Sequence, residues 1–92
     1  MNRVTVTAKL LEHQSLRYTP AGIPALDMLL EHEADSKDGH DASVQIQALA
    51  FSLNAEALAK TPLGSTLKVE GFLRHSAKSK KLIIQIHSFE II

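Results

Sequence analysis

Arg74, Lys78, Lys80 and Lys81 place four cations within eight residues, with no carboxylate among them. Side chains of that type and spacing neutralise closely spaced negative charges, such as those of a phosphodiester chain. A lysine-rich hairpin tip can equally serve only to keep a sheet edge soluble and unpaired. The elements that carry the cluster must decide between the two. Arg17 and Tyr18 join a second cation to a ring. Such a pair can neutralise one phosphate and stack one base, although the ring can instead pack over the turn at Pro20.

Other chemistry is poorly represented. The absence of cysteine removes disulfides, thiolate metal sites and thiol nucleophiles together. His13, His32, His40, His75 and His87 show no ligand-like spacing. Asp38-Gly39 resembles a calcium loop only superficially. Placed at the fifth and sixth positions of such a loop, it puts Ala34 first and Gln45 twelfth, and neither is the required acid. No phosphate-cradling glycine loop, nucleophile elbow or His-Glu metal motif is present. The expectation is a non-enzymatic chain with no metal and no cofactor.

Composition sets further bounds. Ninety-two residues make one domain, 1–92, with a modest core. Ten Lys and Arg balance ten Asp and Glu, so polyanion binding has to rest on a local patch. The rings are only Tyr18, Phe51, Phe72 and Phe89, with no Trp. Electrostatics must therefore outweigh stacking, which is worth roughly 1–3 kcal/mol per base. No apolar run approaches the roughly 18 residues of a membrane span, and no secretory apolar region follows Met1. A cytoplasmic location is the expectation.

The elements follow from periodicity. Arg3 to Leu10 alternates, with Val4, Val6, Ala8 and Leu10 on one face. Tyr18-Thr19-Pro20-Ala21-Gly22 reads as a tight turn. Leu26 to Glu33 and Val44 to Phe51 read as two strands of a hairpin around a polar, acidic loop at 34–43. Asn54 is the expected cap of a short helix through Lys60, with Glu56 early, Lys60 late, and Pro62 and Gly64 as the stop. Thr66–Arg74 and Leu82–Ile91 complete the strands. In the first of these, Leu67, Val69, Gly71 and Leu73 face inward, with the glycine where a curled sheet bends.

Three strands, a helix and two strands outline an all-β, five-stranded OB-fold barrel with its helix between the third and fourth strands. Such barrels hold single-stranded nucleic acid beside the first loop and the loop between strands four and five. The basic cluster lies in that last loop, and Arg17 and Tyr18 lie in the first. Phe72, Leu29, Leu49 and Phe51 fall on the outer, polar faces of their strands, which suggests a cover such as a second copy.

These residues also resemble the primosomal replication protein N (PriB) family, relatives of bacterial single-stranded DNA-binding proteins. The matching stretches are Asn2-Arg3-Val4, Leu16 to Pro24, Leu30-Glu31-His32, Gly64 to Leu73 and the closing strand. The resemblance implies a homodimer that binds single-stranded DNA and works with the PriA helicase, and in some bacteria with DnaT, in replication restart. It maps the family's basic loop onto Lys78, Lys80 and Lys81, and its first-loop basic pair onto Arg17 and Tyr18, the second no longer basic. His40, Val44 and Glu33 stand about where the family carries aromatics and an Arg around the second–third strand hairpin, which weakens that half of the surface. Tailed relatives recruit partners through an acidic tip; ending at Ile92, this chain is expected to recruit through its barrel.

The site residues expected from the sequence are thus Arg17, Tyr18, Arg74, Lys78, Lys80 and Lys81. The rival expectation is a dimeric OB-fold adaptor whose nucleic-acid contact is incidental, favoured by the neutral charge and the acidic loop. Binding of RNA rather than DNA is a third possibility, because phosphate contacts and stacking discriminate poorly between the sugars.

Overall fold

The alternation that begins at Val4 runs further than Leu10. In the computed structural model, which describes residues 1–34 and 42–92, β1 spans Val4–His13. It pairs with two neighbours in succession. Val4 to Lys9 lie against β5 (Thr66–His75), and Lys9 to His13 lie against β3 (Pro24–Ala34). The register shifts between Leu10 and Glu12, so Leu11 is the extra residue of a bulge. A bulge bends its strand and increases the local twist. Here it lets one strand close a barrel.

The remaining pairings complete the circle. β3 pairs antiparallel with β4 (Ala42–Phe51), from Ala25 opposite Phe51 to Ala34 opposite Ala42. β5 pairs antiparallel with β6 (Leu82–Ile91). β4 meets β6 in parallel over Ala48–Ile84 and Leu49–Gln85 only. The order β1-β5-β6-β4-β3, returning to β1, is the expected five-stranded OB-fold barrel. The 34–43 loop expectation falls mostly on residues 35–41, outside the described residues; Ala34, Ala42 and Ser43 belong to the strands.

An extra two-residue strand, β2 (Arg17–Tyr18), adds to β3 through Arg17–Ala25 and Tyr18–Pro24. The expected turn follows it. The Gly22 amide donates to the Thr19 carbonyl at 2.8 Å, and Gly22 takes φ +81, open to a residue without a Cβ.

The helix, α1, differs from expectation. It runs Ser52–Ala59, and Asn54 is not its cap. β4 passes directly into it through Ser52 at φ 58, with Phe51 in the capping position and no side chain bonded to the first turn. No acid lies in that turn. The Asn54 amide instead donates to the His87 carbonyl at 2.9 Å, fixing the helix to β6. The C-terminus is as anticipated, except that Lys60 is the cap: the Thr61 hydroxyl donates to the Ala57 carbonyl, and Gly64 at φ +89 turns the chain back.

The core is aliphatic. Leu10, Leu26, Leu30, Leu58, Leu67 and Val69 are fully buried, with Ala55 and Leu58 delivered by the helix. Leu73 is a correction, since the residue is 38% exposed. The last β1–β5 pair is Val4–Gly71, so Leu73 lies beyond the neighbour that would cover it. On the outer face, Leu49 is only 7% exposed because Ala25, Ile83 and Phe51 pack with it. Much of that apolar surface is thus covered within the chain. Phe72 is half-buried opposite Gln85.

Candidate nucleic-acid interface

The segment between β5 and β6 is an ordered hairpin tip. The Ser76 amide donates to the Lys81 carbonyl and the Lys80 amide to the Ser76 carbonyl, both at 2.8 Å. The Ser76 hydroxyl oxygen accepts from the amides of Lys78 and Ser79, at 3.3 and 3.5 Å. The Ser79 hydroxyl accepts from the Lys81 amide at 3.3 Å. Lys80 takes φ 57, a left-handed conformation that the two crossing bonds impose. Serines set the path of the loop, and lysines are what it displays.

Lys78, Lys80 and Lys81 are exposed, and none is in an ion pair among the described residues. They do not all face the same space. Lys78 and Ser79 line a cavity of about 450 Å³ with Glu12, His13, Asp27 and Gln47. Lys81 lines an adjoining cleft of about 590 Å³ with Gln45, Leu73 and Leu82. Leu29, Gln47 and Ile83 line both, so the two spaces are neighbouring compartments of a groove with a shared wall. β4 and β6 pair over just two residues each, and the lining residues Gln45, Gln47, Leu82 and Ile83 lie on the N-terminal side of that contact. Lys80 lines neither space. Arg74 donates to the Gln85 side-chain oxygen at 2.6 Å, outside the groove lining.

The first-loop pair divides. Tyr18 is 63% exposed, so its ring is not packed away over Pro20. Arg17 is already engaged: its Nε donates to Asp27 Oδ2 at 2.9 Å and its Nη2 to Oδ1 at 3.5 Å. The hydrogen bond to Asp27 raises the guanidinium pKa above its ordinary value; slight burial opposes this, and the Asp27 charge adds to it. Sequence reasoning missed Glu12, His13, Asp27, Gln45 and Gln47. The signal available was the outward phase of Asp27, Gln45 and Gln47 in their strands.

The positions expected to weaken the second–third strand side fall as follows. Val44 is 50% exposed, and Glu33 lies 3.8 Å from Lys9 Nζ. His40 lies outside the described residues. Among the described residues no group of three His, Asp or Glu side chains could hold a metal ion, and no helix is long and apolar enough to cross a membrane.

Comparison with known proteins agrees with this fold. A family model described as "another single-strand binding protein family" matches residues 2–88. Replication restart protein PriB of Bordetella pertussis is 39% identical over 90 residues, covering 95% of this chain and 83% of that protein. A PriB structure from Ralstonia solanacearum superposes with a TM-score of 0.86 at 31% identity, over 99% of this chain and 97% of that one. The single-strand binding domain of a Synechococcus protein superposes at 0.80 with 22% identity, covering 98% and 94%, a likeness of fold alone.

Proposed function

Because this chain belongs to the PriB family of replication restart proteins, within the wider single-strand binding protein family, we propose that it is a non-enzymatic accessory factor that holds single-stranded DNA for a restart helicase. The observation that carries this reading is the placement of Lys78 and Lys81. Two lysines without ion pairs among the described residues stand one at each of two neighbouring clefts that share Leu29, Gln47 and Ile83. Lys80 and Arg74 supply further charge from the same hairpin, and exposed Tyr18 offers a ring for stacking. PriA is the proposed helicase partner, with DnaT in bacteria that use it. The proposed working form is a cytoplasmic homodimer.

Titration with a fluorescent single-stranded oligonucleotide at several salt concentrations tests this. About four neutralised phosphates predict a slope of log affinity on log salt near −3, at roughly −0.7 per contact. Replacing Lys78, Lys80 and Lys81 together by Ala should flatten it to about −1. A wild-type slope near zero, or no change in the triple variant, sinks the reading. An RNA oligonucleotide in parallel resolves the sugar preference, and light scattering on the same sample gives the oligomeric state.

A second reading has its own support. Glu12 and Asp27 line the groove, and the net charge is zero. Both favour an adaptor that chiefly engages proteins. Micromolar affinity for the helicase without measurable oligonucleotide binding selects the adaptor instead.

A further inference from the structure

The site expected to meet a phosphate through Arg17 already contains an anion. Arg17 stands on the two-residue edge strand β2, opposite Ala25, and Asp27 lies two residues further along β3. The guanidinium meets the carboxylate through two nitrogens, at 2.9 and 3.5 Å, and both side chains are 37% exposed. Asp27 lines the groove that Lys78 also lines, whereas Arg17 does not. Carboxylate and phosphate present similar oxygen pairs to the flat guanidinium fork, so one can replace the other on the same Arg. A half-exposed ion pair is weak enough to exchange.

We propose that Asp27 is an internal stand-in for phosphate: it holds Arg17 in competition with the phosphodiester groups of a bound strand and so keeps that cation out of the wild-type contact. The inference rests on the groove being a single-strand site and deepens that reading. Asp27 thereby sets how many cations engage the strand. It also accounts for one of the two acids that line this space beside Lys78. Glu12 lines the same space but makes no ion pair among the described residues, so Asp27 alone of the two controls a cation.

The test is a double-mutant cycle read by oligonucleotide titration across salt. Asp27→Asn keeps the shape and removes the charge, and Asp27→Ser serves as a second substitution of the same kind. Either should tighten binding roughly fivefold and steepen the salt slope by about 0.7, the increment of one added phosphate contact. In an Arg17→Ala background the same substitutions should leave the slope unchanged. Equal steepening and tightening in both backgrounds would mean that Asp27 merely repels DNA, and would overturn the proposal. So would a wild-type protein that binds normally and gains nothing from either substitution. If wild type and variants alike fail to bind, the single-strand reading itself fails and this inference falls with it. Thermal midpoints within a few degrees of wild type are expected for a pair this exposed.

Discussion

The α-carbon of Gly71 in β5 lies against the backbone carbonyl of Gln85 in β6, so closely that a Cβ would overlap the oxygen and also meet the Ile84 side chain at 3.2 Å. This approach sits beside a break in register, where Glu70 faces Ser88 but Gly71 faces Ile86, leaving His87 as the extra residue. The same stretch carries His87, whose carbonyl accepts from the side-chain amide of Asn54 on α1. The close approach of β5 to β6 at this break in register therefore depends on one residue without a side chain.

Gly71→Ala should consequently destabilise the fold well beyond an ordinary strand substitution. A Cβ facing backbone cannot be relieved by a rotamer change, so the strands must separate. The expected cost is about 2–4 kcal/mol, or a fall in thermal midpoint on the order of 10–20 °C for a domain of this size. Calorimetry checks it; a midpoint within 3 °C of wild type, roughly the scale of a surface substitution, contradicts the account.

Asn2 extends the ladder before β1 begins. Its side-chain amide donates to the Leu73 carbonyl at 2.7 Å, and its oxygen accepts from the Leu73 amide at 2.8 Å. One side chain thus imitates a further strand residue and holds the end of β5 beside the cleft that Leu73 lines. Asn2→Ala should cost about 1 kcal/mol, because the freed groups are exposed and water can replace part of the loss. Amide hydrogen exchange at Leu73 should rise by at least the corresponding factor of about five. Unchanged exchange would show that the bonds do not persist in solution.

The strands were legible because their alternation is nearly unbroken: Val4 to Leu10 and Leu26 to Leu30 keep one face apolar, and both faces were assigned correctly. Leu73 was misplaced because periodicity cannot report where the neighbouring strand stops. The bulges at Leu11 and His87 escaped notice for a related reason, since an extra residue shows only once the partner strand is known. α1 was started late because capping rules look for a polar side chain, whereas the left-handed Ser52 performs the turn with backbone alone. Two residues have no period, so β2 was invisible. The Arg17–Asp27 pair was hidden with it, because β2 is what brings residues ten apart into contact. The lysine cluster was plain in sequence, but which of its members meet the groove is a property of how Ser76 and Ser79 route the loop.

Tyr18 provides its own reporter. It is the chain's single Tyr, and there is no Trp, so the tyrosine emission of the protein comes from this ring alone. Stacking on a base should quench that emission as oligonucleotide is added. Tyr18→Ala should weaken binding by roughly 1–3 kcal/mol, while Tyr18→Phe keeps most of the affinity. Saturation without quenching, together with full affinity in the Ala variant, would remove Tyr18 from the interface.

Ser76 separates the shape of the basic loop from its charge. Its hydroxyl oxygen accepts the amides of Lys78 and Ser79, and its backbone joins the loop across to Lys80 and Lys81. Ser76→Ala removes only the side-chain bonds and leaves every lysine in place. The freed loop must then be ordered during binding, a cost of roughly 0.5–1.5 kcal/mol per restrained side chain. Affinity should fall about three- to tenfold at fixed salt on that scale, yet the slope against log salt should match wild type because the number of phosphate contacts is the same. A flattened slope would mean that a lysine had left the strand altogether, and unchanged affinity would mean that the loop needs no such bracing.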